Sequence, residues 1–202
     1  MEIKEVIEKN KSLIKKAKTI ETFMQKEKNL NKKIYEVDNP YFFFTAISTL
    51  NAQAKAPLAQ KFIGLKMNWQ PVKAKEERGD FLEEKTEKYI ELKNSFTNKE
   101  QKLNLRQIRL YQDIDFYLCV FIDEEKLEES IFYYLSKEEM EKEVRLLGGF
   151  THGTKNVNES NKKPEYSITI SVKNNSNEHT KRWNKLYKNE NIKNVFFEVS
   201  DE

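Results

Sequence analysis

The chain has 202 residues, which is the length of one domain or of one domain with appendages. Its 36 basic and 33 acidic residues give a net charge of only +3, so total charge provides no argument for nucleic-acid binding. The single cysteine, Cys119, excludes an intramolecular disulfide and lies in an apolar run typical of a buried, unreactive thiol. No apolar run approaches the roughly 18 residues of a membrane span, so we expect no membrane association and a cytoplasmic location.

The first third of the chain is predicted to be helical. Residues 2–28 place apolar side chains at mostly three- and four-residue steps, the pattern of an amphipathic helix packed on the protein body or on a second subunit. Asp38 or Asn39 can cap a second, largely apolar helix with Pro40 at its first position. A third short helix is expected over 57–66, again with a proline in its first turn.

Residues 78–93, with the sequence RGDFLEEKTEKYIELK, predict two short strands joined by a tight polar turn. Because side chains alternate along a strand, Glu91 and Lys93 share one face of the second arm, with apolar side chains on the other face. The hairpin can bring Asp80 beside Glu91 and Lys93. Two carboxylates and an ammonium suit a magnesium site, since hard divalent cations bind carboxylate oxygens, water and substrate phosphate.

Two helices and two strands are predicted between residues 103 and 147. They are a short helix over 103–111, a buried strand over 115–122, a strand over 130–136 and a helix over 137–147. The first strand contains the unbroken apolar run FYLCVFI, which is typical of a strand covered on both faces. The second helix begins with Ser136 and Glu139, which form a capping-box pattern.

The rest of the chain predicts a loop, two strands and a small basic helix. These are the loop over 148–164, a half-buried strand over 165–173, the helix over 179–188 and a last strand over 194–200. We therefore expect one domain (1–202) with a helical N-terminal part (1–66), a core (67–147) and a C-terminal part (148–202). The fold class is α/β, with a central mixed sheet flanked by helices.

Asp80 followed by Glu91-Leu92-Lys93 resembles the D…ExK signature of the PD-(D/E)XK nuclease superfamily, and more narrowly of type II restriction endonucleases. The resemblance implies a restriction-endonuclease-like core and hydrolysis of double-stranded DNA with Mg²⁺, for which Mn²⁺ can substitute. It also implies that Asp80 and Glu91 are metal ligands and that Lys93 is the third catalytic group. Gly79 stands where a proline usually precedes the first acid. Since 34% of the chain is charged, such a triplet also arises by chance, and a structural ion pair is the competing interpretation.

The same resemblance indicates candidate DNA contacts. The segment 104–112 (NLRQIRLYQ) is similar to the helix that follows the motif in many restriction enzymes, and it places Gln107 and Arg109 near the DNA backbone. The sequence GGFTHGT is similar to a His-Gly-Thr loop that faces DNA in that family, although a flexible surface loop is the alternative. The candidates from this loop are His152, Thr154, Lys155, Asn156 and Asn158. Two residues of the small basic helix, Lys181 and Arg182, are expected to contact phosphates.

The resemblance also implies an assembly. One such site cuts one strand, so cutting both strands requires a dimer. The dimer is either a homodimer or a heterodimer with a larger subunit that recognises DNA, since a short chain leaves little sequence for recognition. Two alternatives stay open. One is a structure-specific nuclease of the same superfamily, such as a repair nuclease or junction resolvase, and the other is a non-catalytic DNA-binding or assembly subunit.

Overall fold

The computed structural model describes residues 39–73, 76–97, 100–151, 164–173 and 177–198. The helix predicted over 2–28 lies outside the described residues. The chain divides into two compact units, residues 1–51 with 199–202 and residues 52–198.

The described part of the first unit contains helix α1 (Pro40–Ile47). Asn39 caps this helix, since its side chain accepts a hydrogen bond of 3.1 Å from the backbone N–H of Phe42. Pro40 occupies the first turn, where its missing N–H leaves no hydrogen bond unmade. The start predicted from the sequence is confirmed.

A mixed five-stranded sheet forms the centre of the second unit, and helices flank it, which confirms the predicted α/β class. Its strands, in spatial order, are β1 (Gln70–Pro71), β2 (Phe81–Glu83), β3 (Lys88–Phe96), β5 (Phe116–Ile122) and β6 (Ile131–Ser136). Strands β3 and β5 run parallel, and the other neighbouring pairs run antiparallel. All residues of β5 after Phe116 are buried, as its apolar sequence predicted.

A smaller antiparallel sheet packs against one face of the central sheet. Its strands, in spatial order, are β4 (Lys102–Ile108), β8 (Tyr166–Ser171) and β7 (Phe150–Thr151), and the helices α3 (Lys137–Leu146) and α4 (Glu178–Leu186) adjoin it. Leu103 and Leu105 of the smaller sheet belong to the same apolar core as Tyr117 and Tyr133 of the central sheet. This core lies on the side of β3 to which Glu91 and Lys93 point.

Two helices, α2 (Ala52–Lys66) and α5 (Glu190–Phe197), cover the other face of the central sheet. The ring of Phe196 in α5 lies 6.0 Å from that of Phe62 in α2 and 5.1 Å from that of Phe132 in β6, measured between centroids. Helix α2 begins before Pro57, which lies inside it instead of in the expected first turn. The helix extends on the N-terminal side of the proline, where alternating alanines favour helix formation.

The predicted helix over 103–111 is wrong, because these residues form strand β4 and the turn after it. Leu105 pairs with Ile168 of β8, and the register then shifts before Ile108 at a β-bulge. The bulge places the buried residues Leu105 and Ile108 three positions apart, a spacing that imitates a helix. The element that directly follows the hairpin is therefore strand β4 and not a helix, and Gln107 lies on this strand.

The predicted last strand over 194–200 is also wrong in its described part, since Glu190–Phe197 forms helix α5. Asn189 caps α5 by accepting a hydrogen bond of 2.9 Å from the N–H of Ile192. The aromatic pair at the end of the chain resembles a strand, whereas the cap and the four-residue step from Ile192 to Phe196 are helical features.

Helix α3 begins and ends where the sequence indicated. The Ser136 hydroxyl accepts from the N–H of Glu139, and the Glu139 carboxylate accepts from the N–H of Ser136, so the predicted capping box is confirmed. Gly148 follows the helix with a φ of +61°, a conformation that favours glycine. Within the described part of the chain, no helix is long and apolar enough to cross a membrane.

Candidate active site

Asp80 and Glu91 lie opposite each other at the end of the β2–β3 hairpin. Asp80 directly precedes β2, whose first residue, Phe81, pairs with Ile90. The N–H of Asp80 donates to the carbonyl of Ile90 at 2.9 Å, and its carboxylate oxygen Oδ2 accepts from the N–H of Leu92 at 2.8 Å. The Asp80 side chain thus continues the hydrogen bonding of the hairpin where the backbone pairing stops, and this holds it beside Glu91.

Gly79 is required for this arrangement. Its φ is +80°, and a Cβ added there would lie 2.9 Å from the Ile90 carbonyl oxygen and 2.9 Å from a methyl carbon of Ile114. Proline has a φ near −65° and cannot adopt this conformation. In this chain, Asp80 can therefore take its position only because glycine, and not the usual proline, precedes it.

Glu91 and Lys93 form a buried ion pair on the same face of β3. The Lys93 ammonium donates to Glu91 Oε1 at 2.6 Å, and the side chains are 15% and 5% exposed. On β5, Glu91 has Tyr117 as its register partner, and Lys93 has Cys119. Burial raises the pKa of the Cys119 thiol, so the thiol stays protonated, and it is buried as the sequence predicted.

With both carboxylates ionised, one ammonium would leave an uncompensated negative charge at this point. The pKa of Asp80 is raised from 3.8 to about 7, first by burial and then by the charge of Glu91. The N–H of Leu92, the charge of Lys93 and a hydrogen bond with the side chain of Gln60 oppose this rise. The burial and the repulsion nevertheless exceed the stabilising contacts.

Gln60 is a site residue that the sequence analysis missed. It lies on α2, and its side-chain amide is close enough to the Asp80 carboxylate to favour the ionised form and lower the pKa of Asp80. A signal was present, since Gln60 falls one residue after Ala59 and three before Ile63, both of which are fully buried. Gln60 itself is half-buried, and an amide next to buried apolar residues favours a polar partner.

The donor set of the site fits a hard divalent cation. Asp80 and Glu91 provide oxygen ligands only, and a bound cation would relieve the repulsion that raises the pKa of Asp80. No three His, Cys, Asp or Glu side chains come together as a metal-binding group among the described residues. A cation held by these two carboxylates would need further oxygen ligands, such as water.

The candidate contacts Gln107 and Arg109 lie on and just after β4. Gln107 is exposed in the bulge, with a φ of +54°. The Arg109 guanidinium donates to Glu165 at 2.7 Å, and although burial lowers its pKa, this contact raises the pKa above the usual value. The hydroxyl of Tyr117, the register partner of Glu91, lies 3.4 Å from the Arg109 carbonyl oxygen, so the end of β4 adjoins the candidate site.

The other candidate contacts differ in their surroundings. Lys181 is exposed on α4, whereas the guanidinium of Arg182 is paired with Glu143 of α3. Glu143 is buried and also accepts hydrogen bonds from Trp183 and Tyr187. Arg182 thus joins two helices, and its contact with phosphate stays a prediction. The candidates His152, Thr154, Lys155, Asn156 and Asn158 lie outside the described residues.

Comparison with known proteins provides no further assignment. A scan of the sequence against models of protein families finds no match, and a search among curated proteins finds no significant similarity.

Proposed function

We propose that this chain is a magnesium-dependent endonuclease that hydrolyses phosphodiester bonds of double-stranded DNA, as a type II restriction endonuclease or its cleavage subunit. The observation that supports the proposal best is the meeting of Asp80, Glu91 and Lys93 at one point of the sheet. Two acids that repel each other, next to one lysine, lower the stability of the protein unless a cation or a proton binds. A restriction-endonuclease-like core of the PD-(D/E)XK superfamily is part of this proposal.

The three side chains have distinct roles in the proposed reaction. Asp80 and Glu91 would hold Mg²⁺, or Mn²⁺ in its place, and the backbone N–H of Leu92 fixes the orientation of Asp80. Such a cation, when bound, polarises the scissile phosphate and lowers the pKa of a bound water. Lys93 donates hydrogen bonds from the same face as Glu91, where its ammonium can orient the attacking water and offset negative charge that develops on the phosphate.

A restriction role requires two cuts, so the active form in this proposal is a homodimer or a heterodimer with a larger subunit that recognises DNA. Such an enzyme would work in the cytoplasm of a prokaryote, where incoming DNA is found. A structure-specific nuclease of the same superfamily would use the same three residues and differ only in its DNA substrate.

A second candidate function follows from the burial of the Glu91–Lys93 pair. At 5% and 15% exposure, the two side chains also match a structural ion pair in a non-catalytic DNA-binding or assembly subunit. The Asp80 carboxylate opposes this interpretation, because a structural pair needs no second, half-buried carboxylate whose own pKa is raised.

The test is digestion of supercoiled plasmid DNA from a host without DNA methyltransferases, with added magnesium, followed by sequencing of the ends. The wild type should cut at a recurrent sequence, and EDTA should abolish cutting. The Asp80→Asn and Glu91→Gln variants should not cut, and Lys93→Ala should cut roughly 10²–10³-fold more slowly. Glu84→Gln, which changes an exposed carboxylate in the hairpin turn, is the matched control and should cut normally.

Each result distinguishes the candidates. Cutting of four-way junctions but not of plasmid would favour the structure-specific nuclease. Binding of DNA in calcium without any cutting in magnesium would favour the non-catalytic subunit. Cleavage by Asp80→Asn at the wild-type rate would exclude this site.

A further inference from the structure

We infer that the exposed face of the β4–β8 strand pair binds the duplex beside the scissile phosphate and reads its bases. We call this face the polar ribbon, and it consists of Asn104, Arg106 and Gln107 of β4 and Thr169 of β8. The inference rests on the proposed function, which it extends from the cleavage chemistry to the recognition of the substrate.

The alternation of side chains along β4 and the bulge near its end place polar residues on the exposed face of the smaller sheet. Leu103, Leu105 and Ile108 face the core, so Asn104 and Arg106 point outward by alternation. A regular strand would turn the next residue, Gln107, toward the core. The bulge between Leu105 and Ile108 exposes it beside Arg106 instead, and bulges of this kind redirect side chains next to functional sites.

The chemistry of the polar ribbon suits DNA. Its side chains are one guanidinium, two amides and one hydroxyl, with no carboxylate among them. Arg106 forms no ion pair within the described part of the chain, whereas Arg109 and Lys102 are paired with Glu165 and Glu100. An arginine pairs with guanine and an amide with adenine in the major groove, so these are the residue types that read base edges.

Part of the polar ribbon is already held in place. The hydroxyl of Thr169 donates to Asn104 Oδ1 at 2.9 Å, and the two residues are register partners on β4 and β8. This cross-strand bond fixes the orientation of the Asn104 amide before any ligand binds, which lowers the entropic cost of binding.

The position of the polar ribbon relative to the candidate site also fits a duplex. Strand β4 leads to Arg109, whose carbonyl oxygen lies 3.4 Å from the hydroxyl of Tyr117, the register partner of Glu91. At ~3.3 Å per residue of a regular strand, Gln107 lies at most about 7 Å before Arg109, and the span from Asn104 to Gln107, which contains the bulge, covers at most about 10 Å. That span equals about three base-pair steps of ~3.4 Å, and the major groove admits a two-stranded ribbon.

The experiment compares Asn104→Ala, Arg106→Ala and Gln107→Ala with wild type by two measurements. The first is the consensus around the cut sites in a magnesium digest of plasmid DNA. The second is the affinity for a pool of 30-bp duplexes of random sequence, enriched on the wild type and measured in calcium, against the unselected pool. The matched control is Lys142→Ala, which removes an exposed cation from α3.

We expect Arg106→Ala to keep cutting, to lose preference at one or more positions of the consensus and to bind the enriched pool roughly tenfold more weakly. The control should behave as wild type. If wild type cuts and the ribbon variants keep its consensus and affinity, the inference is overturned while the proposed function stands.

Two further results separate the proposals. If wild type binds the enriched pool but never cuts, the proposed function fails, and the affinities of the variants still decide the inference. If wild type neither binds nor cuts DNA, both fail.

Because β4 is an edge strand, its charged bulge can also prevent pairing with another chain. If light scattering shows that the Arg106→Ala variant associates while its DNA binding is unchanged, the bulge serves to prevent pairing, and the inference that the polar ribbon reads DNA is overturned.

Discussion

The carboxylate of Asp80 accepts a hydrogen bond of 2.8 Å from the backbone N–H of Leu92, the residue between Glu91 and Lys93. One backbone amide thus joins the two halves of the D…ExK motif, and the hairpin keeps them together although ten residues separate Asp80 from Glu91 in the sequence. The same bond holds the half-buried Asp80 carboxylate beside the buried Glu91 carboxylate, at a cost in stability that can be measured.

The first prediction concerns the stability of the metal-free protein against pH. The pKa of Asp80 is 3.8 ordinarily and about 7 in the fold, so between these values the folded state retains a proton that the unfolded chain has released. The contribution of Asp80 to the stability of the wild type therefore falls as the pH rises from about 4 to about 7. Asp80→Asn should be more stable than wild type, by a margin that grows over this window and levels off above it.

Calorimetry in EDTA at several pH values measures this margin. Asn can still accept the hydrogen bond from Leu92, so the fold should persist. Glu84→Gln in the exposed turn is the control and should change the free energy of unfolding by less than about 0.5 kcal/mol at each pH. A margin for Asp80→Asn that does not change with pH would contradict the assigned burial and repulsion.

The second prediction concerns Gly79. Gly79→Ala should destabilise the protein by more than the ~1–2 kcal/mol of a left-handed non-glycine residue, because its Cβ would also press on the Ile90 backbone. Gly148→Ala is the matched control, since Gly148 has a φ of +61° and open space around it. Urea denaturation compares the two. Equal losses would mean that the close approach to Ile90 is of no consequence.

The third prediction concerns Gln60. Gln60→Ala removes an amide that favours ionised Asp80, so Mg²⁺ and Ca²⁺ should bind roughly tenfold or more weakly. Gln53→Ala, on the same helix but exposed, should bind them as wild type does. Isothermal titration with each metal, without DNA, measures this directly. Unchanged affinity in the Gln60 variant would remove Gln60 from the site.

The fourth prediction separates Arg182 from Lys181. Glu143 is buried and accepts from Arg182, Trp183 and Tyr187, so Glu143→Ala should cost about 3–5 kcal/mol of stability. Arg182→Ala should likewise destabilise the fold, whereas Lys181→Ala should leave stability unchanged. If both residues contact phosphates, both variants flatten the salt dependence of DNA binding. Thermal melting and salt titrations distinguish the two effects.

The sequence by itself determined the features that depend on residues a few positions apart. Asn39 caps α1 and the Ser136–Glu139 box starts α3 because each bond spans three residues. Alternation placed Glu91 and Lys93 on one face of β3, since the side-chain period of a strand is two. The proposed catalytic roles of these residues remain predictions.

Only the tertiary structure decided the remainder. The bulge in β4 gives its buried residues a helical spacing, and pairing with β8 is what makes the segment a strand. The influence of Gln60 on Asp80 and the ion pair of Arg182 with Glu143 connect residues that are 20 and 39 positions apart. Such contacts depend on how whole elements pack, because a buried polar group takes whichever partner the packing brings within reach.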